Sequence, residues 1–171
     1  SLGMRMTQLT DDFRYGPCVE LWKSASPQGE RLDEYVRREL AGEPHVGETP
    51  RDTVEQTEKF SARAVEAAEK AAPSVTRNAG EFARLCGDAR AMRFMTLSYT
   101  HKVRAAALIL RFRATMDERG RGDFRLLDRA AGWMRSSLDW YGKLTELTKE
   151  TYLYANSMQT RQRKIPFPDG E

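Results

Sequence analysis

The sequence predicts an all-α protein, an antiparallel bundle of three long helices with shorter helical segments at its N-terminal end. Three observations carry this expectation. Apolar residues recur at alternating steps of three and four over long stretches, the pattern of a helix with one buried face. Start and stop signals bracket those stretches: Ser26-Pro27, Thr49-Pro50 and Asn78 with Glu81 open them, while Gly42, Pro73 and Gly120 close them. No segment shows the alternation of a half-buried strand.

Residues 1–25 show no sustained period and read as an irregular N-terminal segment, in which Gly16-Pro17 breaks what precedes it and Cys18, Val19, Leu21 and Trp22 make a short apolar turn. The bundle domain is expected over 26–164. Its first helix spans 27–41, because Ser26 before Pro27 is an N-cap followed by the first helical position, and Leu32, Tyr35, Val36 and Leu40 recur at helical spacing before Gly42. Glu43 to Glu48, with Pro44 and Gly47, is a loop that leaves His45 solvated or facing another domain. Thr49-Pro50 with Asp52 opens a second helix to about Ala72, where Pro73 prevents continuation. Its expected inward face is mostly small: Val54, Phe60, Ala64, Val65, Ala67, Ala68, Ala71 and Ala72. Such a face lets a partner helix approach toward the low end of the usual interaxial distance of about 8 to 10 Å.

The longest periodic segment runs from Asn78 to the neighbourhood of Arg119-Gly120 and carries two apolar rows. One takes Phe82, Leu85, Ala89, Met92, Thr96, Tyr99, Val103, Ala106 and Leu110; the other takes Phe94, Leu97, His101, Ala105, Leu108 and Phe112. Two rows on one helix require neighbours on more than one side, so this helix is central. The short Gly120-Arg121-Gly122-Asp123 turn folds the next helix back antiparallel. That helix extends from Phe124 to about Thr160, again with two seams: Phe124, Leu127, Ala131, Met134, Leu138 and Tyr141, then Leu126, Ala130, Trp133, Trp140, Leu144, Leu147, Tyr154 and Met158. Residues 165–171 read as a linker-like tail, since Ile165 precedes a proline. Ser1-Leu2 before Gly3-Met4 reads as a cloning remnant, and together with the tail it suggests a piece excised from something longer.

Composition narrows the function classes. The 171 residues carry 28 basic and 25 acidic side chains, a net charge of +3 with the two signs interspersed, so nucleic acid is not the expected partner. No apolar run reaches the roughly 18 residues a membrane span needs. Two cysteines exclude a disulfide-stapled miniprotein, and with two histidines a zinc site would have to recruit carboxylates. Cys18 and Cys86 either pair or remain free thiols; the second alternative needs fewer assumptions.

The search for chemistry finds no phosphate-binding glycine loop, nucleophile elbow, HExxH or paired CxxC. A di-metal bundle site needs a Glu-x-x-His pair, which the chain lacks. His101 has no carboxylate near enough on its own helix to orient it as a base, so a buried seam histidine is the simpler reading. No catalytic residue, cofactor or metal is therefore expected. Arg90, Arg93, Arg104, Arg111 and Arg113 are expected to pair with Glu55, Glu58, Glu66 and Glu69 across helices. Trp133, Trp140, Tyr141 and Tyr154 form the candidate interaction surface; exposed, such a row could stack on sugar rings, whereas buried it would be the large half of a large-into-small packing arrangement.

The order of these features resembles a known region. Ser26-Pro27 through Gly42, Thr49-Pro50 opening an Ala-rich helix, Asn78 to Glu81 leading into Asp88 and the stretch Tyr99, Lys102, Arg104, Ala105, Ala106, then Trp133 and Trp140, resemble the helical region that follows the catalytic barrel in large bacterial carbohydrate-active, glycoside hydrolase-like proteins. The run Tyr154 to Thr160 followed by Arg163-Lys164-Ile165-Pro166 looks like the end of such a region. The resemblance implies a non-catalytic helical module whose partners are neighbouring domains of a larger chain, with glycan contact within reach and a periplasmic or secreted setting. No catalytic motif of those proteins is present, so no catalytic residue carries over. The alternative is an autonomous helical binding or oligomerisation protein whose partner is a second copy of itself.

Overall fold

The structure is a computed structural model that describes residues 29–151, 154–156 and 164–166. These residues form the predicted all-α bundle, with helices α1 (Leu32–Ala41), α2 (Pro50–Ala71), α3 (Ala79–Thr115) and α4 (Phe124–Thr151). After α4 come two short strands, β1 (Tyr154–Asn156) and β2 (Lys164–Pro166).

The first helix begins at Leu32, not at Pro27. Glu30 donates its backbone N–H to the Glu48 carbonyl at 3.0 Å, and Gly29 bridges the same residue, so the chain here is committed to an extended contact. A Cβ on Gly29 would lie 2.8 Å from the Glu48 oxygen, so only glycine permits that approach. Ser26, Pro27, Trp22 and Cys18 lie outside the described residues. Capping falls instead to Glu34, whose carboxylate accepts the Arg31 N–H at 3.0 Å. At the other end Gly42, with φ of 67°, lets the Glu43 N–H reach back to the Arg38 carbonyl at 2.9 Å.

Thr49 caps α2 as its sequence predicts. Its hydroxyl accepts the Asp52 N–H at 3.2 Å and donates to the Asp52 carboxylate at 2.6 Å. These bonds to Thr49 hold the Asp52 carboxyl below its ordinary value. α2 ends at Ala71, and Pro73 sits in the single 3-10 turn that follows. The third helix stops at Thr115, short of the predicted Arg119, because the Asp117 carboxylate takes the backbone N–H groups of Arg119 and Arg121 at 3.0 and 2.8 Å. This local turn outcompetes another helical turn.

α4 also ends early, at Thr151 instead of Thr160. Thr145 and Thr148 donate their hydroxyls back to the Tyr141 and Leu144 carbonyls, and β-branched residues weaken a helix end. Beyond it β1 and β2 pair antiparallel in the register Tyr154 with Pro166, Ala155 with Ile165 and Asn156 with Lys164. This pairing lies beyond the helical bundle, whose all-α class stands as predicted, and brings Ile165 and Pro166, read from sequence as tail, into a ladder.

Two compact units divide the chain: residues 1–56 with 100–135, and residues 57–99 with 136–171. In the first, α1, the start of α2 and the C-terminal part of α3 bury Leu32, Val54, Val103 and Ala106. α3 and α4 bury Ala105, Leu108 and Ala130. Both predicted rows of α3 are thus inward here. Phe112 lies against Phe124 at 5.4 Å, and a Cβ on Gly122 would strike the Phe112 ring at 2.8 Å.

The second unit is built differently. Its buried described residues are Leu97, Ser98 and Ser137, and the Ser137 hydroxyl donates to the Ser98 carbonyl at 2.7 Å. Phe60, Leu85, Met92, Met95, Leu138 and Tyr141 are each more than half exposed. The expected inward face of α2 is therefore displaced: Phe60, Ala64, Ala67 and Ala71 are exposed, whereas the Glu58 carbonyl and the Ser61 hydroxyl accept Arg93 at 2.6 and 2.9 Å. Cys86 Sγ lies 3.9 Å from the Ala68 carbonyl. The row Leu85, Met92, Tyr99, expected to be a buried seam, faces outward here, as does the α4 row ending in Leu138 and Tyr141.

Candidate functional site

The first unit holds a groove of about 330 Å³ among all four helices. Its apolar floor is Leu32, Val54, Val103 and Leu108, the outer surface of the core just described. Around that floor stand four guanidinium groups: Arg51 from the first turn of α2, Arg104 and Arg111 from one face of α3, and Arg129 from α4. The helical repeat explains the grouping, since Arg104 and Arg111 are two turns apart, and Arg129 lies one turn before Trp133.

Among the described residues one carboxylate, Glu55, lines the groove beside these four arginines. It pairs with Arg51 at 2.9 Å, both side chains being well exposed. Arg111 is held from outside the lining by Glu39, which also accepts the Tyr35 hydroxyl at 3.0 Å. The Arg104 guanidinium lies over the Trp133 ring, 5.1 Å from its centre. Arg129 is exposed. Among the described residues the groove thus combines an apolar floor, an aromatic wall and four guanidinium groups, two of them paired with Glu55 and Glu39. A larger hollow of about 580 Å³ near the start of α3 has Arg77 and Arg84 balanced by Glu81 and Asp88.

Of the four residues expected to form one interaction surface, Trp133 lines this groove, half-buried with His101 edge-on to it at 4.8 Å. Trp140 belongs to the second unit, where it stacks with Phe94 at 5.7 Å under the Lys143 ammonium, 4.0 Å from its ring centre. Tyr141 is 55% exposed. Tyr154 is the first residue of β1, and its side chain lies outside the described residues. Trp133 and Trp140 are therefore each partly core and partly surface.

His45, expected to be solvated or to face another domain, is exposed and also tied to residues of its own unit. Its Nδ1 meets the Glu30 carboxylate at 2.8 Å and its ring stacks on Tyr35 at 4.6 Å. The Glu30 side chain is only 5% exposed and also accepts the Val46 N–H at 2.6 Å and meets Arg38 at 3.2 Å. Burial raises its pKa, but the Val46 N–H, the His45 ring and the Arg38 charge together hold it below the ordinary value.

The expected ion pairs are found in part. Arg90 pairs with Glu69 across α2 and α3 at 3.0 Å, but Glu55 and Glu66 pair within α2, with Arg51 and Lys70. Arg51 and Arg129 escape a reading of sequence altogether, because their common groove exists only after four helices meet. Among the described residues no group of three His, Cys, Asp or Glu side chains could hold a metal ion, and no helix is long and apolar enough to cross a membrane.

No protein-family model and no curated protein matches the chain. Among solved structures it is similar to one described as a GH138 enzyme targeting pectin rhamnogalacturonan II, with 37% identity and a TM-score of 0.70. The match covers 96% of this chain and 23% of that one, so this chain spans less than a quarter of the enzyme it resembles.

Proposed function

We propose that the chain is a non-catalytic helical module of a larger glycoside hydrolase-like protein, acting by packing against neighbouring domains. The observation that carries this reading is the nearly complete match of this chain to less than a quarter of a much longer enzyme. The large apolar side chains that stand more than half exposed on the second unit support it, because they leave apolar area available to a neighbouring domain. The target named for the similar enzyme is a pectin, so an acidic plant polysaccharide is the substrate class this reading assigns to the whole protein.

The test compares this chain with the longer protein containing it. Alone it should hydrolyse no pectic or model glycoside. Met92→Glu with Leu138→Glu should leave the melting of the isolated chain nearly unchanged, within about 0.5 kcal/mol as for exposed sites. The same pair should lower the melting temperature or expose interdomain protease sites in the longer protein. Turnover by the isolated chain would refute the non-catalytic reading. A stable dimer of the isolated chain at micromolar concentration, broken by the same pair, would instead favour an autonomous oligomerisation protein.

A further inference from the structure

One apolar row runs along α3 in steps of three and four, from Leu85 and Met92 to Val103, Ala106 and Leu110. In the first unit helices cover it: Val103 and Ala106 are buried with Leu32 of α1 and Val54 of α2, and Leu110 packs on that cluster. In the second unit the same row is exposed, Leu85 by 57% and Met92 by 63%, and Met95, one turn further on, by 56%. We propose that this N-terminal half of α3 is the seat of a helix from a neighbouring domain of the longer chain. The proposal rests on the module reading above and adds to it which face is covered and by what kind of element.

The spacing argues for a helix as the occupant. Leu85 and Met92 are two turns apart and Met95 follows by one, the pattern by which one helix reads another lying along it. The C-terminal part of the row already accepts helical cover, and the exposed part continues it on the same element. Leu85 also lines the hollow of about 580 Å³ at the start of α3, together with Phe82 and Val75. A helix laid over Met92 and Leu85 reaches this hollow, where one large side chain can insert as an anchor. Two unbranched methionines beside it mould to the partner's side chains. The match of this chain to 23% of a longer enzyme places the source of such a helix in the remaining length of a chain of that kind.

The experiment places the photo-crosslinker benzoylphenylalanine in turn at Leu85, Met92 and, away from the seat, Leu138 of the longer protein, and maps the captured residues by mass spectrometry. Leu85 and Met92 lie about 10.5 Å apart along α3. A seated helix is therefore captured at two positions about seven residues apart on one segment beyond these 171 residues. Captured positions about three residues apart would mean an extended segment and overturn the helix. Capture of residues 1–28 or 157–171, or of a second copy, would overturn the neighbouring domain as occupant. Capture of another domain from Leu138 alone would remove the seat and leave the module reading standing, whereas no capture from any of the three positions would count against both. Amide exchange supplies a second readout: residues 85–95 should exchange more slowly in the longer protein than in the isolated chain. Met92→Glu should abolish that difference and Met92→Leu should keep it. Equal exchange in the two unsubstituted proteins would overturn the seat.

Discussion

Glu30 is the residue on which the first unit's loop most depends. Its carboxylate gathers the Val46 N–H, His45 and Arg38, and its lowered pKa fixes the sign of the pH response. A depressed carboxylate contributes stability that is present above its unfolded value and is lost as pH falls through the folded one. Glu30→Gln should therefore lower the denaturation midpoint at neutral pH, and the gap from the parent should close once pH drops well below the ordinary glutamate value of 4.5. A gap that widens on acidification would show that another group governs the loop. None of this is legible in the sequence, because Glu30 and His45 are fifteen residues apart and neither belongs to a periodic face. The pair Ser98 and Ser137 is hidden for a different reason: hydrophobic patterning assigns serine to solvent, and only their mutual bond makes burial tolerable.

Caps were the most legible part of the elements. Thr49-Pro50 with Asp52 predicts the start of α2 at the right residue because capping is a local contest between a hydroxyl and nearby N–H groups. Thr49→Ala should cost about 1 kcal/mol, read as a shift in thermal midpoint, with helix content otherwise retained. Where helix ends were misplaced, tertiary or side-chain bonds intervened: the Glu48 bridge delays α1, the Asp117 turn cuts α3 short, and a strand pairing follows the end of α4. The direction of the helix faces was half legible. Period alone identifies the rows on α3 and α4 but not which neighbours cover them, and in the second unit the outward rows look no different from buried ones.

Across the whole molecule the all-α class was legible and the groove was not. Its arginines sit on three helices, and each alone looks like an ordinary surface charge. The helix order read from the sequence resembles a region of a large protein, and the chain matches 23% of the longer enzyme it is similar to. One helix carries the contrast within itself. From Thr100 to Phe112 α3 is buried by its own unit, whereas from Ala79 to Thr96 it has no fully buried residue. Amide hydrogen exchange should record this as a step along one uninterrupted helix, slow in the C-terminal half and fast in the N-terminal half, since local opening tracks the contacts that must be broken. Uniform protection along α3 would contradict it. Opening would then start in the N-terminal half of α3 and halt where its buried residues begin, so the longest helix would melt in two steps instead of one.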